Sequence, residues 1–378
     1  MIEKIEDDPL IGDMIVDLVN DWSSQTSTKD EIDNALISYH RYVYRKWIFM
    51  FICIIATVIV MGVALTIGAY DIKFLESYVI VWQNIFGDVQ DTMKDYIIMD
   101  LRMPRIIAGV IAGSGLAIAG VVMQSILKNP LADPYTTGVS SGALFGATLA
   151  MTMGANMMGG EYAIVINAFI FSLVPTLVIV TVSKMRMTSP TIMIMAGIAV
   201  MYIFNAMTTL IKLQADPNSL ASIYQWQVGS LTMVDWSVIP LMAVIVATGI
   251  ILMQFVSRKL NVLFTGDENA KAMGINVESL RIFCLVIVAI VSAVIVSFTG
   301  LIGFVGLVAP HVVRIFIGPD NRYLIPASAI FGALLLVAAD LLGRVVIAPA
   351  TLQVGVITAF LGGPLFLWLI MRRKSNVW

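Results

Sequence analysis

The stretch Arg281-Ile-Phe-Cys-Leu-Val-Ile-Val-Ala-Ile-Val-Ser-Ala-Val-Ile-Val-Ser-Phe-Thr-Gly300 carries one charge, at its first residue, and then none. A helix needs about 20 mostly apolar residues to cross the roughly 30 Å hydrocarbon layer of a membrane, and this segment has that length and character. A glycine-rich turn around Thr299–Gly303 separates it from a second apolar run ending near residue 317. Working outward in both directions, similar runs recur from Trp47 to Met371. The predicted spans are 47–70, 103–128, 135–155, 161–183, 189–213, 235–257, 281–300, 301–317, 323–346 and 351–371. With 59% AVILMFWYC and only 13% DEKR, a water-soluble chain of this size would lack the polar surface to cover itself. The expected fold is an all-α polytopic membrane protein of ten transmembrane helices.

Charge gives the orientation. Short cytoplasmic loops are enriched in Lys and Arg, and with the N-terminus inside, 17 of the 23 Lys and Arg residues fall on the cytoplasmic side. An even number of spans then puts both termini in the cytoplasm. Residues 1–46 form an expected acidic cytoplasmic extension, in which the first 40 residues hold ten acids against Lys4 and Lys29. Ile11, Met14, Ile15, Leu18 and Val19 fall at helical spacing within it, ahead of a polar linker at Asp21–Lys29. A ten-helix transmembrane domain is expected over 47–373, with an external segment at 71–100 and a cytoplasmic loop at 260–280. The acidic tail argues against a nucleic-acid partner. Cys53 and Cys284 lie inside apolar runs, which suits burial rather than a disulfide or a thiolate metal site.

Within the 260–280 loop, Asp267 and Glu268 suit the positive end of a short helix, Ala270, Ala272 and Met273 continue it, and Gly274 can end it in a left-handed conformation. That reads as a docking element, although an ordinary inter-span loop would look similar. Arg102 and Arg105 at the mouth of the second span, and Arg344 at the end of the ninth, are read as exposed guanidinium groups. They could bind lipid phosphate, anchor the span ends or pair with carboxylates of a docking protein. Asp340 lies four residues before Arg344, so the two can neutralise each other on one helix face. His311 has no second histidine nearby, which disfavours metal ligation. Glycine rows at 109, 113, 115 and 120 and at 300, 303 and 306 allow helices to approach closely in lipid. The 378 residues contain no Gly-x-x-x-x-Gly-Lys-Ser/Thr phosphate loop, so ATP hydrolysis would need a partner.

Leu101-Arg-Met-Pro-Arg105, Asn129-Pro-Leu-Ala-Asp-Pro134 and Gly138-Val-Ser-Ser-Gly-Ala143 occur in that order, followed by Trp226-Gln-Val-Gly-Ser230. After them come Gly300-Leu-Ile-Gly-Phe-Val-Gly-Leu-Val-Ala-Pro-His-Val-Val-Arg314, Gly318-Pro-Asp320 and Val354-Gly-Val-Ile-Thr358 with Pro364. Over these motifs the chain resembles the iron-siderophore and vitamin B12 permease family, the membrane subunits of type II ABC importers. Residues 1–40 fall outside the resemblance.

The resemblance implies a homodimer with a substrate path on its two-fold axis, two cytoplasmic ABC ATPase subunits that use ATP and Mg, and an external solute-binding protein. No cofactor is expected on this chain. The resemblance assigns ATPase coupling to the loop, at Gly266, Asp267, Ala270, Met273, Gly274 and Val277, so a bulky charge at Ala270 or Gly274 is expected to dissociate or uncouple the ATPase. It assigns docking of the binding protein to Arg102, Arg105 and Arg344. It makes the fifth span a lining of the path, through Met201, Asn205, Thr208 and Thr209, with Met193, Met195 and Met207 on the same span. Thr351-Leu-Gln-Val-Gly355 departs from the family's usual acidic-Leu-Pro pattern at that turn. The expected cargo is a ferric siderophore or similar chelate, with cobalamin, haem or an oxyanion as alternatives. An ion-coupled transporter would need a buried ion-binding charge, for which Asp340 is the one candidate. An intramembrane enzyme would need a nucleophile with its base.

Overall fold

The computed structural model describes residues 29–68, 70, 72–87, 89, 91–153, 162–186, 189–348 and 350–371. The expected helix at residues 11–19, the linker up to residue 28 and the terminal Arg372, Arg373 and Lys374 lie outside the described residues, and Lys29, where the expected linker ends, begins the first helix. The chain divides into two compact units, Met1–Ile48 and Phe49–Trp378. In the first unit the described residues are helical, with the Lys46 ammonium 4.1 Å from the centre of the Tyr42 ring.

Every regular element among the described residues is helical. Helix α1 spans Lys29–Thr66, and two short helices, α2 (Phe74–Phe86) and α3 (Thr92–Tyr96), fill the connection that follows. A π-helical stretch, Ile97–Arg102, leads directly into α4 (Met103–Leu127). Pro104 explains this widened turn, because it has no N–H to give to the preceding turn. Next come α5 (Val139–Met153), α6 (Ala163–Arg186), α7 (Pro190–Lys212), α8 (Pro217–Val228) and α9 (Ile239–Phe264). The chain ends with α10 (Asp267–Ala272), α11 (Val277–Thr299), α12 (Val305–Ile317), α13 (Asn321–Val345) and α14 (Val354–Met371).

Among the described residues, seven stretches are long and apolar enough to cross a membrane: His40–Thr66, Thr92–Leu127, Ala163–Met185, Pro190–Lys212, Ile239–Phe264, Val277–Thr299 and Asn321–Val345. Three shorter apolar helices, at Val139–Met153, Val305–Ile317 and Val354–Trp368, occupy the remaining expected positions. The second stretch begins at Thr92, ahead of the expected residue 103, because α3, the π-helical stretch and α4 follow one another without a break. The third is shorter than 135–155, because Pro134–Thr137 forms a separate 3-10 turn capped by Asp133.

Helix α4 is the axle of the bundle, buried almost throughout and packed against α9, α11, α12 and α13. Two hydrophobic clusters meet along it, one around Val122, Met123 and Ile126, the other around Ala108, Ala112 and Leu116. Lipid tails are as apolar as leucine, so association inside a membrane depends on close contact rather than on expulsion of water. Small residues provide that contact here. Gly113 lies against the backbone of Gly332 in α13, and Gly120 against the backbone of Gly306 in α12. At 1.5 Å per residue, α4 is about 38 Å long and reaches from one end of the bundle to the other.

Candidate functional site

At the first end of α4, three arginines line a cleft of about 890 Å³ together with Gly68, Tyr70 and Thr351. The Arg102 guanidinium turns inward, where Nη1 donates to the carbonyls of Leu65 (2.5 Å) and Thr66 (3.0 Å) and Nη2 to that of Tyr70 (2.6 Å). Those carbonyls belong to the last turn of α1 and the chain just beyond it, a position where helical C=O groups lack intrahelical donors. Arg102 is therefore a cap for α1.

Arg105 and Arg344 converge on one carboxylate. Arg105 Nε and Nη2 donate to Asp340 Oδ1 at 2.9 and 2.8 Å, and Arg344 Nε and Nη2 donate to Asp340 Oδ2 at 3.0 and 2.5 Å. Arg344 Nη1 also donates to the Ala64 carbonyl at 3.0 Å, so α1, α4 and α13 are tied at this end. The i, i+4 pair of Asp340 and Arg344 is present, and Arg105 joins it from a helix 235 residues away in sequence.

The expectation of three exposed guanidinium groups needs correction. Arg102 and Arg344 are buried at 7% and 8% exposure because the bundle's own carbonyls and Asp340 take their donors. Arg105 is the least buried of the three, with 13% of its side chain exposed. Replacing Arg102 with methionine leaves three carbonyls without their donor and is expected to cost about 1–3 kcal/mol. A lowered thermal midpoint in detergent checks this. The same burial means that Arg102→Glu would disturb folding before any effect on docking could be read.

At the opposite end, the six-residue α10 sits between two glycines with positive φ, Gly266 (φ 135°) and Gly274 (φ 78°). Glu268, Asn269, Lys271, Ala272, Met273 and Gly274 are exposed. Ala270 and Val277 are not. Ala270 has no exposure and packs with Leu260, Leu263 and Val277 in the main core cluster, which corrects its place in the expected partner-facing set. Spacing of one helical turn reads as one face, whereas a helix this short anchors through one side chain and presents the rest.

Asp267 faces its own chain. Arg281 Nη1 and Nη2 donate to its two oxygens at 2.8 Å each, and Lys128 Nζ donates to Oδ1 at 2.6 Å. The Arg281 side chain is fully buried and sends Nε to the Ile126 carbonyl at 3.1 Å. Burial pushes the Asp267 carboxyl up, but the hydrogen bonds and charges of Arg281 and Lys128 outweigh it and hold the group below the ordinary carboxylate range. Neither Lys128 nor Arg281 stood out in the sequence. The one available signal was a lone arginine at the start of an otherwise uncharged span.

In α7 the expected path residues separate onto two faces. Asn205 and Thr209 are exposed and Met201 partly so, along one i, i+4 row, with the Thr209 hydroxyl donating to the Asn205 carbonyl at 2.8 Å. Thr208 is corrected. It is buried with Met193, Gly197, Val200 and Phe204, and its hydroxyl donates to the Phe204 carbonyl. Among the described residues no group of three or more His, Cys, Asp or Glu side chains is arranged to hold a metal ion.

The FecCD transport family matches residues 50–372. An archaeal chain from Methanocaldococcus jannaschii, provisionally named an ABC transporter permease protein, is 40% identical over 90% of this chain and 98% of its own length. The hemin transport system permease protein of Yersinia pestis is 35% identical over 86% of this chain and 96% of its own. Further relatives are named for iron hydroxamate, ferric citrate and cobalamin import. A solved ABC transporter described as of metal-chelate type and inward-facing superposes with a TM-score of 0.76 at 28% identity, over 86% of this chain and 99% of that one. With so nearly complete a match in both sequence and fold, the chain belongs to the FecCD transport family and is a multi-pass membrane permease of the ABC transporter class.

Proposed function

We propose that this chain is the membrane subunit of an ATP-driven importer that moves a ferric siderophore or similar metal chelate delivered by an external solute-binding protein. In this reading the seven long and three short apolar helices all span, both termini are cytoplasmic, and two copies enclose the path with the Met201, Asn205 and Thr209 row toward it. Two ATPase subunits dock at the Asp267 end, and the binding protein meets the cleft holding Arg105.

The observation that carries the reading is α10. It is a short helix held by a buried alanine, presenting Glu268, Asn269, Lys271, Ala272 and Met273 at one end of the bundle, in a sequence that has no nucleotide-binding loop of its own. Such a surface suits a groove on a partner that supplies the ATP hydrolysis. Relatives named for hemin, iron hydroxamate, ferric citrate and cobalamin support a bulky chelate as cargo, with cobalamin or haem the nearest alternatives.

The test is co-expression with the matching ATPase and binding protein, followed by uptake of hemin, a ferric hydroxamate or cobalamin into vesicles, with and without ATP and a protonophore. Uptake that requires ATP and survives the protonophore is expected. Full-rate uptake without the ATPase refutes the reading. Within that assay Ala272→Arg, on the exposed face of α10, should abolish ATPase co-purification while leaving the permease monodisperse. Ala270→Lys should instead lower the yield of folded permease, because it buries an unpaired charge.

A further inference from the structure

We infer that Lys128, Asp267 and Arg281 form the linkage that carries movement of α10 into α4, making them positioning residues for the transport step. The inference rests on the function proposed above and concerns how a push on α10 reaches the far end of the bundle.

A helix of six residues is well below the roughly 12–15 needed for independent stability in water, so its orientation is imposed by what it touches. Its two covalent connections run through glycines in conformations that other residues rarely adopt, and Gly274 has open space where a Cβ would stand. Transmission through those connections alone would pass through its most pliable points. The ion pairs bypass them. Asp267, the first residue of α10, is held by both outer nitrogens of Arg281 on α11 and by Lys128, the left-handed C-cap of α4. Arg281 also grips the Ile126 carbonyl in the last turn of α4. The Lys128 and Ile126 attachments therefore both end on the C-terminal turn of α4.

That helix is the one best placed to deliver a displacement. Close glycine crossings lock α4 to α12 and α13 along its length, leaving little slack for sliding. Its opposite end carries Arg105, which holds Asp340 beside the cleft. A load applied to Asp267 thus has a continuous rigid route to the cleft, about 38 Å away along α4. The rival route is covalent, through α9 and α11, and it predicts that neutralising the triad changes nothing in the gating.

Ala348 is exposed in that cleft, and both native cysteines are buried, so Ala348→Cys provides a reporter. The assay uses the permease with its co-purified ATPase in proteoliposomes and compares labelling by a membrane-impermeant maleimide without nucleotide and with ATP and vanadate. In the Asp267 background the rate is expected to change on nucleotide trapping. With Asp267→Asn, recovered in lower yield because the buried Arg281 loses its counter-ion, the nucleotide-dependent change in the complexes obtained should fall about tenfold. Lys128→Gln keeps the Asp267 and Arg281 pair, folds more safely and should give a partial loss. If both variants retain the full change, the linkage is wrong. Loss of ATPase co-purification in Lys128→Gln overturns it as well, because the triad would then serve docking. A reporter that ignores nucleotide in the unaltered complex instead refutes the proposed function on which the linkage rests.

Discussion

Asp340→Asn is expected to destabilise the permease by about 3–5 kcal/mol, because it leaves the charges of Arg105 and Arg344 without their counter-ion. The carboxylate is 4% exposed and accepts from both guanidinium groups, and no second carboxylate is paired with either of them among the described residues. Asparagine keeps the shape but has no charge and turns one acceptor into a donor facing two donors. The measurement is the detergent thermal midpoint together with the yield of monodisperse protein.

A triple replacement, Arg105→Met, Asp340→Leu and Arg344→Met, distinguishes a buried-charge penalty from simple loss of packing. Removing a complete buried network in favour of apolar groups is often neutral or stabilising, whereas removing one partner is not. The triple variant should therefore recover most of the stability lost in Asp340→Asn. The remaining deficit of about 1 kcal/mol reflects the Ala64 carbonyl, which loses the Arg344 donor. Failure of the triple variant to recover would show that the network determines how α1, α4 and α13 dock, and not merely that its charges need balancing. A cation-binding role for Asp340, as an ion-coupled transporter would require, fits poorly with a carboxylate whose two oxygens are both engaged by arginines.

The helices were legible in the sequence because lipid imposes a constraint each segment must meet by itself, namely length and apolarity. The run from Arg281 announces its span without reference to any other part of the chain. Asp340 and Arg344 were legible for the same local reason, being one helical turn apart. Arg105 was not, since its partner lies 235 residues away and only the packing of α4 on α13 brings them together. Arg102 misled in the opposite sense. A charge at a span end reads as solvent-facing, yet the unpaired carbonyls at the end of α1 compete for it and win. In α10 and α7 the error was rotational. The family resemblance grouped Ala270 with Met273 and Thr208 with Thr209, but which side of a helix faces inward depends on neighbours that the sequence does not name.

Gly120→Val is expected to have the larger effect on assembly, with little or no monodisperse protein recovered. A Cβ at position 120 would overlap the Gly306 carbonyl and lie 2.8 Å from the Gly306 Cα, so the obstruction is backbone and cannot rotate away. Relief requires α4 and α12 to move apart. Overpacking in a core that can relax costs about 1–3 kcal/mol. Here relaxation would also open the neighbouring approach of Gly113 to Gly332, because α4 serves both interfaces. Within lipid there is no compensating expulsion of water to hold separated helices together, so close packing given up along the axle is not made good elsewhere in the bundle. Gly363→Ala in α14 is the matched control, since a Cβ there meets nothing within 4 Å. It should leave the thermal midpoint unchanged or raise it slightly, by the 0.5–1 kcal/mol or so that alanine gains over glycine inside a helix. Comparable losses from both substitutions would mean that glycine at position 120 matters for backbone freedom and not for the approach of α4 to α12. Normal recovery of Gly120→Val would overturn the close crossing itself, and with it the rigid route along α4 on which the triad depends.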